Sequence, residues 1–200
     1  MKKTLIFVKN NQTMTTVLRV NLNDLSSQFI QDLRKRFDKT AQIEIRVEEQ
    51  KQGEGLLSEA QFWGIIEELD WSKQESNSIM AKAVKTLSLM PVANIYLFKD
   101  KLSEKLYNLD TKAHANTYKS KQEDGYLSVD DFLYVRCAVV AEGKDYYENV
   151  LTQPSEMPIE IAFEPLLSLA NTAYQMKTGK KMDYFPIFNY ETHSNYAAWL

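Results

Sequence analysis

One stretch constrains this chain more than any other, Tyr126 to Gly143, reading Tyr-Leu-Ser-Val-Asp-Asp-Phe-Leu-Tyr-Val-Arg-Cys-Ala-Val-Val-Ala-Glu-Gly. Ser128 with Asp131 three residues later spells a helix start, and Gly143 a stop. At about 100° per residue, Val129, Phe132, Leu133, Val139 and Val140 fall on one side, with Asp130, Tyr134, Cys137 and Ala141 on a flank. Arg136 falls close to the middle of the apolar side. A guanidinium keeps its charge and is costly to bury unless hydrogen-bonded oxygens meet it. The stretch therefore predicts a central helix, and another element that brings a carboxylate or carbonyls to Arg136. Two roles stay open for that arginine: a buried strut, or an anion-binding group in a cleft.

Its neighbours have simpler explanations. Asp130 and Asp131 suit the cap and first turn, where acids complement the helix dipole. Cys137 has no CxxC partner and no adjacent base, which favours a passive thiol. As the single cysteine it also rules out an internal disulfide and fits a reducing compartment.

Composition excludes little beyond this. The chain is 44% hydrophobic and 26% charged, an ordinary globular balance, and 200 residues suffice for a real core. A net charge of -3 gives no general pull toward nucleic acid or anionic membrane. The apolar run Leu5 to Val8 is too short for a membrane span, so a cytoplasmic protein is expected.

Residues 1–50 read as a small β-β-α-β unit. Thr4–Val8 and Val17–Leu22 suggest a hairpin. Leu25, Phe29, Ile30, Leu33 and Phe37 have helical spacing, and 42–48 alternate as a half-buried strand. Arg34, Lys35, Arg36 and Lys39 cluster near the helix end, among acids, as a solvated face. Residues 49–55 are polar with two glycines and no apolar residue, which sets a linker at 51–57. Residues 58–200 then read as a helical bundle: Ser58 with Gln61 as a capping box, Phe62, Ile65, Ile66 and Leu69 as a stripe, and Trp63 at its edge. Further helices follow around 76–90, 91–106, 144–151 and 163–177. The aromatic tail from Tyr184 to Trp199 lacks helical period and is expected to pack back over the bundle. That makes Glu191 a candidate partner for Arg136, alongside Glu67 and Glu68. His114 and His193 lack metal-ligand spacing, so no metal and no cofactor are expected. The fold class expected is α+β.

From Phe62 to Trp199 the chain resembles the bacterial domain-of-unknown-function family 4240. The pieces that carry the resemblance include Phe62-Trp63-Gly-Ile-Ile-Glu67, Asp130-Asp131-Phe132-Leu-Tyr-Val-Arg136 and Val140-Ala-Glu-Gly143. Lys177-Thr178-Gly179 and Glu191-Thr192 with Trp199 extend it. The resemblance implies a helical domain with no assigned activity, brings no catalytic residues, and leaves the N-terminal unit outside.

Three functions are compatible with these residues. One is a non-enzymatic interaction or regulatory module, whose partner is another protein or a second copy engaged through the N-terminal unit. The second is a hydrolase-like, ligand-processing enzyme with Arg136 and Glu67, Asp130, Asp131 or Glu191 in a cleft. The third is a toxin–antitoxin-type component, suggested by the first fifty residues. A sealed and bonded Arg136 favours a strut, whereas an open pocket with two acids favours ligand chemistry.

Overall fold

The computed structural model describes residues 5–10, 13–18, 31, 32, 35 and 55–200. The chain divides into two compact units, Met1–Glu49 and Gln50–Leu200.

In the first unit, β1 (Leu5–Asn10) pairs antiparallel with β2 (Thr13–Leu18), from Leu5 opposite Leu18 to Asn10 opposite Thr13. Sequence placed the second strand at Val17–Leu22. The observed register leaves only two residues for the connection, the commonest hairpin length, and starts the strand at the β-branched Thr13. Gln31, Asp32 and Lys35 are helical and exposed. All five residues of the expected helix stripe, the other three basic residues and the expected strand at 42–48 lie outside the described residues. The expected α+β class with a β-β-α-β unit is therefore corrected. Among the described residues the two strands of one hairpin are the only strands, and the architecture is otherwise helical.

The second unit is a bundle built on its caps and stripes. Helix α1 (Glu59–Ile66) opens with the capping box: Ser58 Oγ accepts from Gln61 N at 3.1 Å, and Gln61 Oε1 accepts from Ser58 N at 2.8 Å. Its apolar stripe buries Phe62, Ile65 and Ile66, and the Phe62 ring lies 5.0 Å from that of Phe98. Helix α2 (Ser76–Leu89) follows, then α3 (Val92–Leu109) with Pro91 as its N-cap. The polar α4 (Lys112–Lys121) starts at Thr111, whose hydroxyl accepts from His114 N.

Helix α5 (Val129–Ala141) is the centre of the bundle. Phe132, Leu133 and every residue from Val135 to Ala141 are buried, so the helix is enclosed on nearly all sides. The one-sided pattern read from sequence is corrected here: Cys137 and Ala141, placed on a flank, are in the core, while Val129 is 47% exposed in the first turn. Small Ala and Cys residues allow α3, α6 (Lys144–Thr152) and the 3-10 turn Glu164–Ser168 to close around it. Gly143, with φ of 101°, makes the sharp turn from α5 into α6 that an L side chain would resist.

The predicted last helix is in two parts, that 3-10 turn at Glu164–Ser168 and then α7 (Leu169–Thr178), which lies along α2 and α3. Pro165 in the first turn supplies no N–H, which suits a helix start. Gly179, at φ 70°, ends α7 in the left-handed region. Beyond it, residues 184–200 run back over the bundle as a strap that ends in the single turn α8 (Tyr196–Trp199).

Candidate functional site

Two buried charges organise the strap. Arg136 is 0% exposed, the largest side chain so enclosed in the second unit. Its Nη1 donates to Leu106 O at 2.8 Å, on α3, and to Tyr190 O at 3.1 Å, on the strap. Nη2 donates to Thr192 Oγ1 at 2.9 Å, and that hydroxyl donates onward to Val129 O at 2.7 Å. The guanidinium also stands 4.9 Å from the Phe132 ring, within cation–π range. Nε has no hydrogen-bond partner. Burial pulls the guanidinium below its ordinary value, and Asp110, Cys137 and Glu191 oppose that pull. Arginine nonetheless stays charged at any biological pH. Its direct partners are thus neutral oxygens from two elements.

Asp110 is the opposite pole, also 0% exposed, at the C-terminal cap of α3. A carboxylate there faces the negative end of the helix dipole and needs strong compensation. The strap supplies it. Oδ1 accepts from His193 N and Trp199 Nε1, each at 3.1 Å, and Oδ2 from Asn195 N at 3.0 Å and Ser194 Oγ at 3.3 Å. His193 adopts φ 73°, which costs a non-glycine residue about 1 kcal/mol or more. The bond from its N–H to Asp110 holds it there. Residues 190–195 therefore offer oxygens to the cation and N–H groups to the anion.

A second anchor holds the start of the strap. Asp100 accepts from Tyr184 Oη at 2.7 Å and from Ile187 N at 3.0 Å. Lys99 Nζ donates to Tyr184 O at 3.1 Å, and the Tyr96 and Tyr184 rings lie 4.6 Å apart.

His114 ties the floor of this region together. Its Nε2 lies 2.9 Å from Val150 O and its Nδ1 2.7 Å from Thr111 Oγ1. The neutral ring fits both contacts, with Nε2–H donating to the carbonyl and Nδ1 accepting from the hydroxyl. Burial pushes the imidazole down from its ordinary value, the Val150 carbonyl opposes this, and the charge of Arg136 adds to it. The unfolded chain takes up this proton near pH 6.5, roughly the reference value, and the folded chain only at lower pH. Stability from His114 is therefore complete above about pH 6.5 and is lost as pH falls from there toward the folded value. Melting temperatures at pH 7.5 and 5.5 are expected to differ more in the wild type than in His114→Gln (approximate test points on either side of that reference value). Equal differences would contradict the assignment.

The other sequence-singled residues are dispersed. Glu191 has an exposed side chain and acts on Arg136 only through its charge, while the flanking Tyr190 and Thr192 make the bonds. Glu67 is the exposed C-cap of α1. Glu68 is bound to Thr86 Oγ1 at 2.5 Å and Lys82 at 3.6 Å. Asp130 and Asp131 are exposed in the first turn of α5, where Asp131 N donates to Ser128 Oγ at 3.2 Å. Trp63 is buried and donates through Nε1 to Glu59 at 3.0 Å. Burial works to raise the Glu59 carboxyl, but Lys105 and Lys101 outweigh it and hold it below its usual range. Cys137 is buried and its thiol is pushed up to about 12 by burial, with Arg136 opposing. The structure thus brings none of the carboxylates of Glu67, Glu68, Asp130, Asp131 and Glu191 into direct contact with Arg136.

Sequence reasoning missed Asp110, Asp100 and Lys99. Asp110 carried one signal: an acid just past the last turn of a helix, where the dipole disfavours it.

Among the described residues, no group of three His, Cys, Asp or Glu side chains is placed to hold a metal ion, and no helix is long and apolar enough to cross a membrane. An open depression is lined by Lys121, Gln122, Glu123, Asp124 and Ile159, and neither Arg136 nor Asp110 reaches it. Residues 57–176 match the family model described as Protein of unknown function (DUF4240). The chain belongs to this family. No curated protein and no solved structure matches it. The DUF4240 span contains Arg136, Asp110 and His114 but ends at residue 176, short of the strap and of the Trp199 limit expected from sequence.

Proposed function

We propose that this DUF4240 protein is a non-enzymatic interaction module that docks a partner protein on the first turn of its strap. One observation carries this. Phe185 is 89% and Ile187 75% exposed, yet the backbone between them is pinned on both sides. Asp100 accepts from Tyr184 Oη and Ile187 N, Lys99 Nζ donates to Tyr184 O, and the Phe188 ring lies tilted 5.3 Å from that of Tyr107. Pro186 removes further freedom between the two apolar side chains.

Burying two such side chains is worth roughly 1.5–3 kcal/mol each. Part of that gain is normally lost to ordering a flexible loop, and a pinned loop loses less. Rigid aromatic and aliphatic anchors are the usual energetic centre of protein interfaces. A cytoplasmic setting fits a chain whose one cysteine is free and buried.

The test compares tagged wild type with the double variant Phe185→Ser, Ile187→Ser in an extract of the source organism. The expected result is a protein captured by the wild type and reduced roughly tenfold or more by the variant, with unchanged helical circular dichroism. Capture of the same proteins by both would overturn the proposal.

A further inference from the structure

We propose that Lys99 is an acyl-acceptor site: it takes a short acyl group from an acyl phosphate or an acyl thioester, and the acylated side chain releases the first turn of the strap. Only the consequence for a partner rests on the docking proposal above.

The setting of this amine carries the inference. Lys99 lies half-buried on α3, where α7 and the strap meet it. Its Nζ donates to Asn171 Oδ1 on α7 and to Tyr184 O on the strap, each at 3.1 Å. Both acceptors are neutral oxygens, and among the described residues Lys99 makes no salt bridge. Helix α7 carries no acid. Of the neighbouring carboxylates, Asp100 accepts from Tyr184 Oη and Ile187 N, and Asp183 acts through its charge on Tyr96. The rings of Tyr174, Tyr96 and Tyr184 stand in a row across the same three elements, 5.7 and 4.6 Å apart.

Two neutral acceptors suit a free amine as well as an ammonium. The free amine keeps both N–H bonds and carries its lone pair at the third position. Burial pulls the ammonium down from its ordinary value, with Asp100 opposing. Desolvation of this kind is what turns a lysine into a nucleophile. Other lysines are held differently. Lys101 and Lys105 grip the Glu59 carboxylate. Lys121 also donates to two carbonyls, those of Ser155 and Met157, but it is exposed and shares its depression with Glu123 and Asp124.

The step balances. The ammonium gives one proton to water, and the freed lone pair attacks the acyl carbon. A C–N bond forms, the C–O or C–S bond breaks, and its electron pair leaves with phosphate or thiolate. The nitrogen then gives a second proton to solvent. The product is a neutral amide with one N–H in place of three. One N–H cannot serve both Asn171 and Tyr184, and the acyl group needs room between α7 and the strap. Tyr184 O loses its donor, and the pinned base under Phe185 and Ile187 loosens. Acylation thus switches docking off.

The test incubates the full-length chain separately with acetyl phosphate and with an acetyl thioester at neutral pH, and follows each lysine by peptide mass spectrometry. Lys99 is expected to be acetylated severalfold faster than Lys121, and the donor that does so names the source. In the labelled chain the Ile187 amide is expected to lose its protection from hydrogen exchange, while the Asn195 amide, held by Asp110, keeps it. Lys99→Arg keeps the charge and is expected to show no such loss after the same treatment. Labelling of Lys99 no faster than of Lys121, or a labelled chain that keeps full Ile187 protection, overturns the proposal. If Lys99 is labelled and the strap loosens, but Phe185→Ser, Ile187→Ser leaves capture unchanged, docking falls and the acyl-acceptor site stands. If Lys99 is not preferred and capture still depends on that pair, docking stands alone.

Discussion

Arg136→Met is expected to lower the melting temperature by roughly 10 °C, measured by circular dichroism at neutral pH. Methionine fills much of the volume and needs no hydrogen bonds, so packing survives better than polarity. The substitution removes the guanidinium donor from Leu106 O, Tyr190 O and Thr192 Oγ1 alike. Hydrogen bonds to a charged group contribute about 1.5–3 kcal/mol each. Removing a buried cation returns some desolvation energy, and the absence of a direct carboxylate partner means no anion is orphaned outright. The balance is about 3–5 kcal/mol of lost stability, by analogy with breaking other buried charged contacts. Arg136→Lys is expected to fare little better, since one ammonium cannot reach the three acceptors held by a planar fork. A methionine variant that melts with the wild type would show that the guanidinium carries no structural weight.

Asp110→Asn is the second large effect, and it falls on the strap rather than on the bundle. Asparagine keeps one acceptor oxygen and places an NH2 group where the other stood. Two of the four donors, either His193 N with Trp199 Nε1 or Asn195 N with Ser194 Oγ, then face another donor. Losing two charge-assisted bonds costs about 3 kcal/mol, with a few tenths regained because no charge opposes the α3 dipole. The strained φ of His193 loses its reason to persist. The expected outcome is rapid proteolysis after residue 183 under conditions where the wild type is cut slowly, with helical circular dichroism retained. A variant as resistant as the wild type would contradict the role given to Asp110.

Both effects trace to features that were unequally legible. The helix and its cap at Ser128 were legible from the Ser-x-x-Asp spelling and the apolar spacing, and Arg136 stood out against that spacing, so its bonding to another element follows from the mismatch. Which atoms would meet it was not legible. Glu191 was one candidate partner alongside Glu67 and Glu68, but the backbone carbonyl before it and the hydroxyl after it do the bonding, and carbonyls leave no trace in a sequence. Asp110 was nearly invisible because a helix end is ambiguous by one or two residues, and only its exact place makes the carboxylate anomalous. The capping box at Ser58 was plain since both partners lie within four residues. The one-sided wheel for α5 failed because a helix enclosed on nearly all sides beyond its first turn has little polar face to set its phase, as Cys137 and Ala141 show. In the first unit a Thr-rich run outweighed the apolar pattern that placed the second strand too late.

The central claim is that Arg136 and Asp110 together hold the strap down. Native-state hydrogen exchange at single-amide resolution tests it most directly, comparing wild type with Arg136→Met and Asp110→Asn. The predicted result is protection of the Ile187, His193 and Asn195 amides in the wild type, lost together in both variants while Val139 and Val140 in α5 stay protected. Strap amides that exchange in the wild type as fast as in a free peptide, or that keep full protection in both variants, would contradict the account.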